Sequence, residues 1–136
     1  MNYFLPEGVE NPFASIEQVE RWPAGEIIFR EGDPPRGIFI LYSGTVDLIF
    51  SARTGLKRTL RTAVPGEVLG LSDAVRNSPH DCTASTRTGA KIGFVPIRAL
   101  QEQLEDTPAL WLTLARLLSA DLGSCWASMR TLAAAR

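Results

Sequence analysis

The sequence predicts a mainly β domain, a sandwich or barrel of short strands, followed by helices. Three observations carry this. From Glu26 onward, short runs rich in β-branched and aromatic residues alternate with Gly and Pro turns. At Pro96 the apolar spacing changes from alternation to about 3.6 residues, the helical period. The length of 136 residues, with 45% hydrophobic and 21% charged side chains, suits one folded domain around a single core.

Taken in order, Ile16 to Trp22 fits either a first strand or a short helix. Strands are expected at Ile27-Ile28-Phe29, Ile38 to Tyr42, Thr45 to Phe50 and Leu56 to Thr62. The turns between them fall at residues 31–35, 43–44, 53–55 and 65–66. Val46, Leu48 and Phe50 alternate with Thr45, Asp47 and Ile49, giving one face for a core and one mostly for solvent. Further strands are expected at Cys82 to Thr88 and at Lys91 to Val95, and a jelly roll accommodates the set. Pro96 opens a helix with Ile97, Leu100 and Leu104 on one face, because a first turn needs no donor from proline. Thr107 as N-cap and Pro108 at the first helical position begin a second helix.

Continued to Arg136, that second helix would be about 43 Å long at roughly 1.5 Å per residue, more than a domain of this size requires. Along it Trp111, Ala115, Leu118, Leu122, Cys125, Met129 and Leu132 recur at spacings of 4, 3, 4, 3, 4 and 3, a heptad seam. Its first two turns are expected to pack on the β domain. Beyond Leu122 the exposure of Trp126 and Met129 favours a parallel two-helix homodimer. Gly123 weakens the helix locally by about 1 kcal/mol. The expected division is a jelly-roll domain over residues 1–107 and a dimerisation helix over residues 108–136.

Charge and composition exclude several functions. With 14 Lys and Arg against 15 Asp and Glu, the net charge of −1 offers no field for a polyanion, so nucleic-acid binding by this chain alone is not expected. The apolar runs are too short to span a membrane and the start lacks a basic and apolar leader, which implies a cytoplasmic chain. A single histidine excludes the metal site of a jelly-roll enzyme of the cupin kind, which needs two or three histidines plus a carboxylate, and no metal is expected. His80 and Asp81 are adjacent and no Gly-x-Ser-x-Gly is present, so the chain is not read as a hydrolase or any other enzyme. Cys82 and Cys125 are read as free thiols. Cys82 is expected to be a small buried strand residue, because Asp81 beside it raises a thiol pKa. Cys125 is a seam residue that dimer symmetry could bring against its copy.

The run from Trp22 to Val46, WPAGEIIFREGDPPRGIFILYSGTV, closely resembles the opening of a cyclic-nucleotide-binding domain. Its elements are a Pro-x-Gly entry, a Gly-Asp turn, four consecutive apolar residues and a Gly-x-Val hairpin. The resemblance covers about residues 16 to 132, and the terminal helix is similar to the dimerisation helix of bacterial Crp/Fnr transcription regulators. It implies a double-stranded β-helix, or jelly roll, flanked by helices, homodimeric and responsive to a small-molecule effector. In that family a DNA-binding helix-turn-helix follows the dimerisation helix, which here would lie past Arg136.

Gly66 to Ala84, GEVLGLSDAVRNSPHDCTA, stands where that family's phosphate-binding cassette belongs. The resemblance assigns Gly66 and Glu67 to the ribose hydroxyl, and Gly70, Leu71 and Ser72 to backbone amides at a short helix start that Ser72 caps. Arg76 is the nearby guanidinium, His80 follows Pro79 where the family has an arginine, and Cys82 and Thr83 complete the candidate pocket. Read without the resemblance, Glu67 is a surface carboxylate after a Pro-Gly turn and His80 an exposed loop imidazole. Loss of one partner of a buried ionic contact costs on the order of 3 to 5 kcal/mol, at least about a hundredfold in affinity. Binding of cAMP is therefore expected to be weak or lost, leaving a different effector or a ligand-free dimeric interaction module. Ser124, Ser128 and Arg130 are the candidates to reach the pocket from the terminal helix.

Overall fold

The computed structural model describes residues 3–4, 13–51, 54–110, 112 and 114–115. In chain order the elements are β1 (Tyr3–Phe4), β2 (Gln18–Trp22), β3 (Ile27–Phe29), β4 (Gly37–Ser43), β5 (Val46–Ser51), β6 (Lys57–Ala63) and β7 (Glu67–Leu69). Then come α1 (Leu71–Arg76), β8 (Thr83–Thr86), β9 (Ala90–Pro96) and α2 (Ile97–Asp106). Two antiparallel sheets form, one ordered β1-β7-β4-β9-β2 and the other β3-β8-β5-β6. Apart from the β5-β6 hairpin, neighbouring strands in both sheets are non-consecutive, the topology of a jelly roll rather than of a meander.

β4 explains the layering. Ile38, Phe39, Ile40 and Leu41 are all buried, because this central strand is covered on both faces. Ile38 and Ile40 point outward to Leu71 and Ala74 of α1, Leu100 and Leu104 of α2, and Phe13. Phe39 and Leu41 point inward to Phe29, Val46, Leu48, Ala84 and Ile92 between the sheets. The domain therefore has two apolar layers on either side of one sheet, where the sequence suggested a single core.

Within the segment from Ile16 to Trp22, Gln18–Trp22 resolves as strand β2, which among the described residues is an edge paired with β9. In β5 the inward alternation holds at Val46 and Leu48, and a bulge between Leu48 and Ile49 then breaks the period, leaving Phe50 half-buried. Two adjustments concern the helices. α1 begins at Leu71 after Gly70 and has no side-chain cap, so Ser72 sits inside the first turn and does not cap it. The next helical stretch includes residues 109–110 and 114–115, with Leu110 and Leu114 buried on the domain and Ala115 exposed. The domain-facing side of that helix is thus not the seam side at Ala115. Trp111, Leu118, Leu122, Cys125, Met129 and Leu132, with Ser124, Ser128 and Arg130, lie outside the described residues.

Candidate functional site

The cassette is built from β7, α1 and the loop that leads to β8. The Pro65-Gly66 turn delivers Glu67 to the start of β7, where pairing with β4 and β1 carries the strand into the sheet. Glu67 is thereby 1% exposed. It is not a surface carboxylate, and its Oε2 accepts a hydrogen bond from Nη1 of Arg61 on β6 at 2.8 Å. Its other oxygen, Oε1, is buried with no hydrogen-bond partner. Arg61 keeps a quarter of its side chain in water, so this ion pair is sealed on the carboxylate side and wet on the guanidinium side.

Gly70 links β7 to α1 with φ of +77°, a left-handed conformation that a side chain would strain. A Cβ there would also lie 3.3 Å from Cε1 of His80, so glycine answers both a backbone and a packing demand. The helix it opens has six residues and buries Leu71, Asp73 and Ala74. Asn77 ends it with φ of 51° and donates to Ala74 and Asp73, after which Ser78 N–H bonds the Asp73 carbonyl at 3.0 Å.

That turn returns the chain so that His80 is 3% exposed, which overturns the reading of an exposed loop imidazole. Nδ1 of His80 lies 2.9 Å from Oδ2 of Asp73, and the ring stacks on Phe29 with centroids 3.9 Å apart. The His80 backbone is held as well: its N–H donates to the Asp33 carbonyl at 3.0 Å and its carbonyl accepts from Gly32 N–H at 2.8 Å. The Gly-Asp turn before β4 and the far end of the cassette are thus sewn together through one residue. Arg76, the guanidinium expected near the cassette, is largely exposed, with Nη2 3.8 Å from Oδ1 of Asp73 and Nε toward the Ser72 carbonyl.

Beyond His80, Asp81 is exposed, and its carboxyl is pushed above the ordinary Asp value by partial desolvation and then by the charge of Asp73. A raised folded value means that protonated Asp81 favours the fold. That stability is complete below the ordinary value of 3.8 and is lost as pH rises through the folded one. Asp81→Asn is expected to raise the melting temperature slightly at neutral pH, a gain that vanishes toward pH 3.8 in a fluorimetric pH series. Cys82 is half-buried against the inter-sheet core, just before rather than within β8. Desolvation first, then Asp81, pushes its thiol up to about 12. In a Cys125→Ser background, iodoacetamide is expected to label the native chain at neutral pH far more slowly than the unfolded chain. Thr83 opens β8, and its Oγ1 accepts the Glu31 N–H at 2.9 Å.

The structure pairs Glu67 with Arg61, sets His80 beside Gly70 and leaves Arg76 projecting to solvent. It adds three residues that sequence reasoning missed: Arg61, Asp73 and Phe29. Their partners stand 6, 7 and 51 positions away, and no local pattern marks such pairs. Among the described residues no cluster of His, Cys, Asp and Glu could hold a metal ion.

A strand-turn-helix return of this kind, set in a jelly roll, matches the family model described as cyclic nucleotide-binding domain over residues 19–107. The chain belongs to the cyclic nucleotide-binding domain family. Among curated relatives, an anaerobic regulatory protein of Pasteurella multocida is 24% identical over 107 residues, covering 79% of this chain and 39% of that protein. A lysophospholipase of Kluyveromyces lactis is 28% identical over 122 residues, 85% of this chain but 8% of the relative. The chain thus spans well under half the length of these relatives. The catabolite activator protein of Thermus thermophilus shares the fold with a TM-score of 0.79 at 22% identity, over 93% of this chain and 61% of that one. Among the described residues of this cyclic nucleotide-binding domain, no helix is long and apolar enough to cross a membrane.

Proposed function

We propose that this is the effector-sensing domain of a Crp/Fnr-type transcription regulator, with weak or lost cAMP binding. The observation that carries it is the state of the cassette's ionic groups. Glu67 is engaged by Arg61, Asp73 by His80, and Arg76 projects to solvent beside Asp73. A cyclic phosphate needs a guanidinium aimed inward, and a ribose hydroxyl needs an uncommitted carboxylate. Freeing Glu67 here breaks an ion pair buried on its carboxylate side, at about 3 kcal/mol or more.

Homodimerisation through residues 108–136, cytoplasmic location and a non-enzymatic role belong to the same proposal. They are supported by the heptad seam and by the likeness to the regulatory relatives. The commitment of Glu67 to Arg61 equally favours the ligand-free interaction module of the same fold. Native mass spectrometry of the purified chain tests both features together. A dimer free of any nucleotide mass is expected. A monomer contradicts the seam, and co-purified cyclic nucleotide contradicts the weakened cassette.

A further inference from the structure

The helical stretch after Thr107 has two unlike sides. Leu110 and Leu114 are 4% and 0% exposed, packed in the cluster that also holds Ala74, Leu100 and Leu104. Leu112 is 58% exposed and Ala115 is exposed beside it, so the side turned from the domain is apolar and uncovered. One leucine in water is ordinary on a protein surface. What gives this one meaning is the sequence that continues its side of the helix.

Seven-residue steps from Leu112 reach Ser119, Trp126 and Ala133, and the same steps from Ala115 reach Leu122 and Met129. The seam read from the sequence shares Ala115, Leu122 and Met129 with this set. It differs at the alternate positions, where it takes Trp111, Leu118, Cys125 and Leu132. The pattern alone does not choose between the two; the burial of Leu114 does. Leu118 follows Leu114 by four residues and Cys125 by eleven, close to one and three helical turns. Helical spacing therefore returns both toward the side that Leu114 buries on the domain, and keeps Leu112, Ser119 and Trp126 away from it.

We infer that a second copy of this chain docks on the side formed by Leu112, Ala115, Ser119, Leu122, Trp126 and Met129. The two helices run parallel and in register, so each residue meets its counterpart. This rests on the homodimer proposed above and fixes which side of the helix makes it. Residues 116–136 supply 21 further positions, about 31 Å of helix, a longer stretch than the turns that Leu110 and Leu114 seat on the domain. Ala115 and Ser119 are small enough for close approach, and Trp126 is the large anchor. Arg116 and Arg130 fall beside the contact line, where long stems cover apolar surface and the charges stay in water.

Disulfide trapping in the full-length chain reads the register. On mild copper-phenanthroline oxidation, Ser119→Cys in a Cys82→Ser/Cys125→Ser background is expected to form an intermolecular disulfide. Native Cys125 in a Cys82→Ser chain is expected to cross-link slower by about tenfold or more, since a disulfide needs its two Cβ atoms close together. Leu112→Glu sets a carboxylate on each copy at the contact and is expected to weaken the dimer by about tenfold or more in sedimentation equilibrium. A dimer in which Cys125 cross-links as fast as the Ser119→Cys variant, or in which neither cross-links, overturns the inference and leaves the homodimer standing. So does a dimer indifferent to Leu112→Glu. A parent chain that sediments as a monomer removes the homodimer itself, and the inference with it.

Discussion

Arg61→Met is expected to cost the domain about 3 to 5 kcal/mol. The substitution leaves Glu67, 1% exposed, as a buried carboxylate with one oxygen already unpartnered and the other newly so. Loss of the Arg61 stem adds little, because methionine keeps most of that apolar length. The attraction within the pair is not the main quantity; the stranded charge is. Hence adding Glu67→Gln to Arg61→Met should restore most of the stability, although it removes the second half of the same ion pair. Urea unfolding of the four proteins of this cycle measures the difference. Equal, additive losses would contradict the buried pairing.

His80→Ala is the second large effect, about 3 kcal/mol, or roughly 10 °C in melting temperature. Two contributions act in one direction. The stack on Phe29 accounts for about 0.5 to 1.5 kcal/mol, and the loss of the Nδ1 partner leaves Asp73 buried and unsatisfied for the remainder. Arg76 already stands 3.8 Å from the same carboxylate and recovers part of this by moving inward. The consequence reaches past stability. His80 ties the cassette to residues 32 and 33, so faster hydrogen exchange is expected at both Gly32 and Ser78 in the variant. Protection unchanged at both amides would mean that the backbone alone holds the cassette shut.

The legibility of these features in the sequence depended on how local their causes are. β4 declared itself through four adjacent apolar residues, since a strand buried on both faces needs no polar alternation. α2 declared itself through Ile97, Leu100 and Leu104 at helical spacing after a proline. β2 stayed ambiguous because four of its five residues are exposed, so an edge strand imposed no period on them. β7 was hidden for a different reason. Its three residues are all buried, yet Gly66-Glu67 reads as a turn and the carboxylate masks a strand position that is tenable only with Arg61 opposite.

The candidate site shows the same division. Its expected location came from the family resemblance, which sets the cassette between the Pro65-Gly66 turn and Ala84. Its chemistry did not follow, because burial of His80 depends on Phe29 and Asp73 and burial of Glu67 depends on Arg61. Each imidazole or carboxylate had a sensible exposed reading until the fold supplied its partner. Only three-dimensional pairing showed that the ionic groups of this segment hold one another.

A calorimetric titration of the chain with cAMP at neutral pH tests that pairing most directly. With Glu67 held by Arg61 and His80 by Asp73, the dissociation constant is expected to be weaker than about 100 µM, if heat of binding is seen at all. A constant tighter than that would mean that the pairs open for a nucleotide, and would contradict a cassette whose charged groups are occupied by each other.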